Sequence, residues 1–258
     1  MRLTSPFLIG LAASFLTGCL ANPLSTGGSS GTKEVSQRRR EEAYTHYCMG
    51  AYYEIHQDLD QALVEYKKVL AIDPGAFEAA LKVGSIYLGR DETEKSIVWL
   101  QRARSLDPES YRAVFFLATA LYKADRIEEA EKEYRAALEL DPDQKAPYLL
   151  LGALLTASED YQKALKIYRS GTEIFPDEAT FWFRMGMIYT KLKDLPGSII
   201  QFKKALNLVP DSLEARLALA LAYDLNDQDR RAIEEYEAAA ALAPLNASIQ
   251  RRLGLLYF

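Results

Sequence analysis

Few side chains in this sequence can do chemistry: two histidines, His46 and His56, and two cysteines, Cys19 and Cys48. A metal site needs three or four ligands converging on one point, and no further ligand joins the two imidazoles. His46 stands where sister segments carry Tyr148 and Trp182, so it reads as a packing residue, and His56 falls in a turn. Cys48 reads as a small buried hydrophobe, because no histidine or helix N-terminus is placed to activate its thiol. Gly27-Gly28-Ser29-Ser30-Gly31 has the spacing of a nucleophile elbow. That serine works only on a strained turn between a strand and a helix, and the surrounding sequence reads as neither. A P-loop, an H-E-x-x-H pair and a dinucleotide fingerprint are all missing. The expectation is a protein that is not an enzyme, with no cofactor, no metal and no evident small-molecule substrate.

Composition narrows the class further. The 258 residues are 49% hydrophobic and 26% charged, an ordinary globular balance that argues against a disordered chain. Lys and Arg number 31 against 36 Asp and Glu, a formal net charge of −5. A mildly acidic chain is poorly suited to binding nucleic acid.

The N-terminus reads as an address. Arg2 precedes an apolar stretch from Phe7 to Leu16. Those residues rise only about 15 Å as a helix, too short for the ~30 Å hydrocarbon core of a membrane. They suit the apolar region of a secretory signal. Leu16-Thr17-Gly18-Cys19 follows directly and resembles the lipobox of bacterial lipoproteins. The resemblance implies cleavage before Cys19, lipidation of its thiol and anchoring of the protein in the cell envelope. Leu20 after the cysteine resembles the sorting pattern for the outer membrane, with the protein facing the periplasm. Residues 1–18 are thus expected to be a signal peptide, and 19–40 a lipidated cysteine with a flexible tether rich in Asn, Pro, Ser, Thr and Gly. Such a tether would span about 25 Å on average. Arg38-Arg39-Arg40 reads as a solvated run opening the first helix.

The elements that follow repeat. Pro74, Pro108, Pro142, Pro176, Pro210 and Pro244 are each 34 residues apart, and a fixed period of this size marks a repeat architecture. Counted from residue 43, the eighth place of each unit holds Gly50, Gly84, Ala118, Gly152, Gly186 and Ala220. The twentieth holds Ala62, Ser96, Ala130, Ala164, Ser198 and Ala232, and the twenty-fourth Tyr66, Leu100, Tyr134, Tyr168, Phe202 and Tyr236. Each unit has two runs with helical apolar spacing, separated by a short polar turn. The small residues let the two helices approach closely, large side chains fill the space beside them, and proline ends the second helix. This pattern resembles the tetratricopeptide repeat. It implies an all-α fold, a right-handed α-α superhelix of six full repeats (43–76, 77–110, 111–144, 145–178, 179–212, 213–246) plus the first helix of a seventh (247–258). The solenoid is expected to occupy 41–258. The apolar ending at 253–258 reads as the edge of a fragment, with further sequence beyond it.

In that family the first helices line a concave groove, and places two, five, nine, twelve and thirteen face it. Carried over by alignment, place five gives Tyr47, Leu81, Phe115, Leu149, Phe183 and Leu217, a column widened by Tyr44, Leu88, Tyr122, Met187 and Leu221. The resemblance marks these as a binding strip. Arg112, Lys123 and Lys191 lie in the middle units, with Glu54 and Glu78 at one end and Glu214 and Asp224 at the other, which would favour a segment with central acidic residues. Burying on the order of 300 Å² would gross ~7 kcal/mol at 25 cal/mol/Å², against association costs of about 4–15 kcal/mol. A protein or peptide segment spanning several repeats meets that requirement better than a small molecule. The Lys and Asn pattern of repeats that clamp a chaperone C-terminus is not present. The expected function is a membrane-anchored scaffold for protein partners in the bacterial envelope, similar in organisation to the pilotin lipoproteins that assist pilus secretins. The alternative is a substrate-recruiting arm of an enzyme whose catalytic domain lies beyond Phe258.

Overall fold

The computed structural model describes residues 30–257. The expected signal peptide and Cys19 lie outside the described residues. Within them the chain forms thirteen helices and no strand: α1 Ser30–Ile55, α2 Leu59–Ile72, α3 Phe77–Gly89, α4 Thr93–Leu106, α5 Tyr111–Lys123, α6 Ile127–Leu140, α7 Lys145–Ala157, α8 Tyr161–Ile174, α9 Ala179–Lys191, α10 Leu195–Leu208, α11 Leu213–Leu225, α12 Asp229–Leu242 and α13 Ala247–Leu256.

Each helix packs on the one before it and the one after it, so six antiparallel pairs stack in chain order and α13 closes the row. Consecutive first helices also touch directly, α3 on α5 and α9 on α11, which puts the odd-numbered helices on the inner side of the superhelix. The core runs along the stack as two clusters, and Trp182 packs against both. Stability in such a stack comes from neighbour contacts, since no single pair can bury its own apolar face.

Local chemistry sets the boundaries. Asp58, Ser110, Asp194 and Ser212 cap the helices that follow them by accepting a backbone N–H from the first turn. Asp73, Asp107 and Asp141 stand before prolines, and each carboxylate accepts the N–H two residues on, from Gly75, Glu109 and Asp143. The turns inside the pairs are alike. Asp58 N–H donates to Tyr53 O at 2.9 Å, and Glu92, Arg126, Asp160, Asp194 and Gln228 make the same bond to Tyr87, Leu121, Leu155, Tyr189 and Tyr223. This closure places the residue before the donor in the left-handed region. Gln57, Asp91, Asp125, Glu159, Lys193 and Asp227 occupy it, with φ from 54° to 62°.

Residues 30–40, expected as part of a flexible tether, are helical instead, because α1 begins at Ser30. Glu34, Gln37, Arg38, Arg39 and Arg40 are good helix formers, and Gln37 bonds Glu41 one turn on at 3.1 Å. A helix nucleated by its packed C-terminal half extends backward at little cost.

Candidate functional site

The close contact inside each pair fixes which faces remain open. The eighth-place glycine lies directly beneath the twenty-fourth-place side chain. A Cβ on Gly50, Gly84, Gly152 or Gly186 would stand 2.4–2.7 Å from Tyr66, Leu100, Tyr168 or Phe202. The small twentieth place borders the same contact, where Ser96 Oγ–H donates to Gly84 O at 2.9 Å. Rings at these sites are sealed, and burial pushes the Tyr134 hydroxyl up to about 12 and raises those of Tyr66, Tyr168 and Tyr236. What remains open on the first helices is the stripe three and four residues away.

Most of the expected strip is partly open there. Tyr47, Phe115, Leu149, Phe183 and Leu217 are half-buried, as are Leu88 and Tyr122. Tyr44, Met187 and Leu221 are exposed, at 47%, 42% and 45%. Leu81 departs from expectation, with 0% exposure. Its side chain belongs to the buried cluster against which Tyr47 and Phe115 of the flanking repeats also pack. The column is therefore interrupted at its second repeat. Phe115 is further fixed by stacking on Tyr111 at 5.6 Å.

The basic centre is narrower than expected. Arg112 pairs with Glu78 at 3.4 Å and Lys123 with Asp91, so two of the three cations are compensated between adjacent repeats. Glu54 takes Lys82 at 2.9 Å and the Tyr66 hydroxyl at 2.8 Å, and Asp224 takes Arg252 at 2.6 Å. Lys191 has no ion-pair partner among the described residues, nor does Arg184 two turns earlier on α9. A cleft of about 200 Å³ lies between α9 and α11, lined by Thr180, Phe183, Arg184 and Glu214. It is smaller than the roughly 300 Å³ at which small-molecule sites begin.

The other chemical candidates resolve into structure. His46 Nδ1 lies 2.6 Å from Glu65 Oε2, and Lys68 Nζ donates to Glu65 Oε1 at 2.7 Å. Lys68, then His46, holds the buried Glu65 carboxyl below its ordinary range against the opposing effect of burial. Cys48 is exposed and not the buried hydrophobe expected. The register gave no clear signal, since the same place holds Lys82 and Arg184 in two sister repeats but Phe116, Leu150 and Ala218 in the other three. His56 packs its ring on Tyr52 at 4.3 Å. Among the described residues no cluster of three metal-ligating side chains forms, and no helix is long and apolar enough to cross a membrane.

This architecture is a solenoid of tetratricopeptide repeats, and models of that repeat match residues 93–155 and 149–212. Among solved structures the chain is similar to the MamA protein, with 26% identity, a TM-score of 0.63, and coverage of 65% of this chain and 92% of that one. It is also similar in fold to YrrB, described as a repeat protein with an unusual peptide-binding site (16% identity, TM-score 0.61, covering 72% and 96%). A third similar fold is PilF of Pseudomonas aeruginosa (16% identity, TM-score 0.62, covering 84% and 98%). No curated protein matches the sequence. Repeats of this kind mediate contacts between proteins in many settings.

Proposed function

We propose that the protein is a lipid-anchored scaffold of the bacterial envelope that holds extended or helical segments of partner proteins along its first helices. The observation that carries this reading is the partly open apolar strip of Phe115, Leu149, Phe183, Met187, Leu217 and Leu221 on consecutive odd-numbered helices. Where two of these residues share a helix they lie four apart, on one face, and helix stacking continues that face from repeat to repeat. Arg184 and Lys191 give it a positive centre on α9, which favours a segment with an acidic residue near its middle.

Anchoring rests on Leu16-Thr17-Gly18-Cys19 behind a short apolar stretch, and it would confine the groove to a membrane surface, with the outer membrane facing the periplasm as the proposed site. Within that setting the narrower role is assembly of a pilus or secretion machine, supported by the order of signal, tether and repeats and by the PilF-like fold. Nothing in the strip offers a nucleophile with a paired base, so the proposed role is non-catalytic.

Two experiments test the two halves separately. Metabolic labelling with an alkynyl fatty acid should mark the protein and fail on Cys19→Ala; labelling that persists in the variant overturns the anchor. Crosslinking capture from envelope extracts should yield a partner that Met187→Asp with Leu221→Asp loses, while circular dichroism stays helical. Capture that survives this exposed double substitution overturns groove binding.

A further inference from the structure

We propose that a cleft on the second-helix side of the fifth repeat is a docking pocket for an acidic side chain, Asp or Glu, carried by an extended segment of a partner protein. The cleft lies between α8 and α10 with α9 as its floor, so it belongs to the even-numbered helices and not to the groove strip. Its volume is about 280 Å³, room for one or two side chains and not for a drug-sized molecule.

The first repeat shows what such a place holds. The twenty-third place of the repeat carries Glu65, Trp99, Glu133, Ile167, Gln201 and Glu235, and the twenty-sixth carries Lys68 in the first repeat and Lys204 in the fifth. Where the twenty-third place is acidic, its carboxylate is bonded. Glu65 takes Lys68 at 2.7 Å and lies 2.6 Å from His46, Glu133 pairs with Arg104 at 3.4 Å, and Glu235 pairs with Arg216 at 2.8 Å. The fifth repeat keeps the lysine and exchanges the acid for an amide. Lys204 has no ion-pair partner among the described residues, and its ammonium stands over the Trp182 ring, 4.1 Å from the centre. Arg169, on the α8 side of the cleft, is likewise without a carboxylate and donates to the Tyr189 hydroxyl at 2.6 Å. Glu173 is the one acid in the lining against these two cations, so the cleft keeps a net positive charge.

Gln201 decides what kind of acid fits. Its Oε1 is shut off from water without a hydrogen-bond partner, and an unmet buried acceptor is costly. A carboxylate only accepts hydrogen bonds, so a free anion would satisfy the cations and leave Gln201 as it is. A peptide brings a backbone N–H beside its acidic side chain and meets both needs. Charge-assisted bonds from Arg169 and Lys204 to that side chain are strengthened where the half-buried Trp182 excludes water.

Trp182 lines the cleft and becomes its sole tryptophan reporter once Trp99→Phe removes the other. The probe is acetyl-Gly-Glu-Gly-amide, titrated into the full chain and read by fluorescence. A saturable change is expected with a dissociation constant on the order of 1 mM, as suits a single side-chain contact. Acetyl-Gly-Gln-Gly-amide and sodium acetate should each bind roughly tenfold more weakly, and Lys204→Gln should weaken the probe to a similar extent. Gln201→Glu installs beside Lys204 the acid that the first repeat already carries, and it should abolish binding with helical circular dichroism kept. Absence of a saturable change overturns the proposal. Acetate that binds as tightly as the peptide overturns it in favour of a free anion. Binding that survives Gln201→Glu but is lost with Met187→Asp places the peptide in the groove and overturns it as well.

Discussion

Gly152 lies so close beneath Tyr168 that a Cβ on it would stand 2.4 Å from the ring's Cε1. Tyr168 is 1% exposed, so the ring cannot swing aside, and the two helices would have to separate. Gly152→Ala should therefore destabilise the protein by about 1–3 kcal/mol through overpacking, although alanine is the better helix former. Gly89→Ala, at a glycine with open space around it, should be neutral or stabilise by up to about 1 kcal/mol. Urea denaturation of the two variants would show opposite shifts, and equal shifts would mean that the close approach does not govern the pair.

The six left-handed turn residues make a second prediction. None of Gln57, Asp91, Asp125, Glu159, Lys193 and Asp227 is glycine, and a left-handed conformation costs a side-chain-bearing residue roughly 1–2 kcal/mol. Lys193→Gly should gain up to about 1 kcal/mol after glycine's larger entropy loss is subtracted. Lys193→Val should lose stability, because β-branching makes that conformation worse. Thermal melts of the pair would check the order Gly above Lys above Val.

Glu65 gives a pH dependence. Its folded carboxyl titrates below the unfolded value of about 4.3, chiefly because Lys68 and then His46 bond the ionised form. A depressed carboxylate stabilises the fold above the unfolded pKa, and that contribution fades as pH falls through the folded pKa. Urea midpoints of the parent should thus drop on acidification below about pH 4. Glu65→Gln should be less stable at neutral pH and should converge on the parent in acid. A gap between the two that is independent of pH would contradict the assignment.

The sealed rings give the opposite sign in alkali. Tyr134 is raised to about 12 by burial, and a raised group stabilises the fold fully below its unfolded pKa of about 10, with loss as pH climbs toward the folded value. Absorbance at 295 nm should show the exposed tyrosines ionising first. The remainder should ionise together with the loss of helical circular dichroism, and Tyr134→Phe should remove part of that delayed step.

Periodicity carried most of this fold. A proline every 34 residues and a small residue at each eighth place sufficed to position the helix pairs, because both features act within one repeat. What depended on neighbouring repeats was not legible. Arg112 and Lys123 looked free in sequence and are paired with Glu78 and Asp91 one repeat earlier. The start of α1 at Ser30 reflects backward growth from a packed helix, which composition alone read as tether. Cys48 is exposed, and its register partners could not show it, because Lys82 and Arg184 share the place with Phe116, Leu150 and Ala218.

Leu81 sharpens the test of the groove. By register it belongs with Phe115 and Leu149, yet it has no exposed surface, so Leu81→Asp would place a carboxylate inside the α3 core. An uncompensated buried charge costs several kcal/mol, and the variant should lose stability and bind nothing for that reason alone. Met187→Asp and Leu221→Asp change side chains that are 42% and 45% exposed, and each should alter stability by less than about 0.5 kcal/mol. A partner lost by the exposed pair with melting unchanged is lost at the surface. If Leu81→Asp instead melts like the parent, the second repeat does not pack as described, and the strip would run unbroken along the first helices.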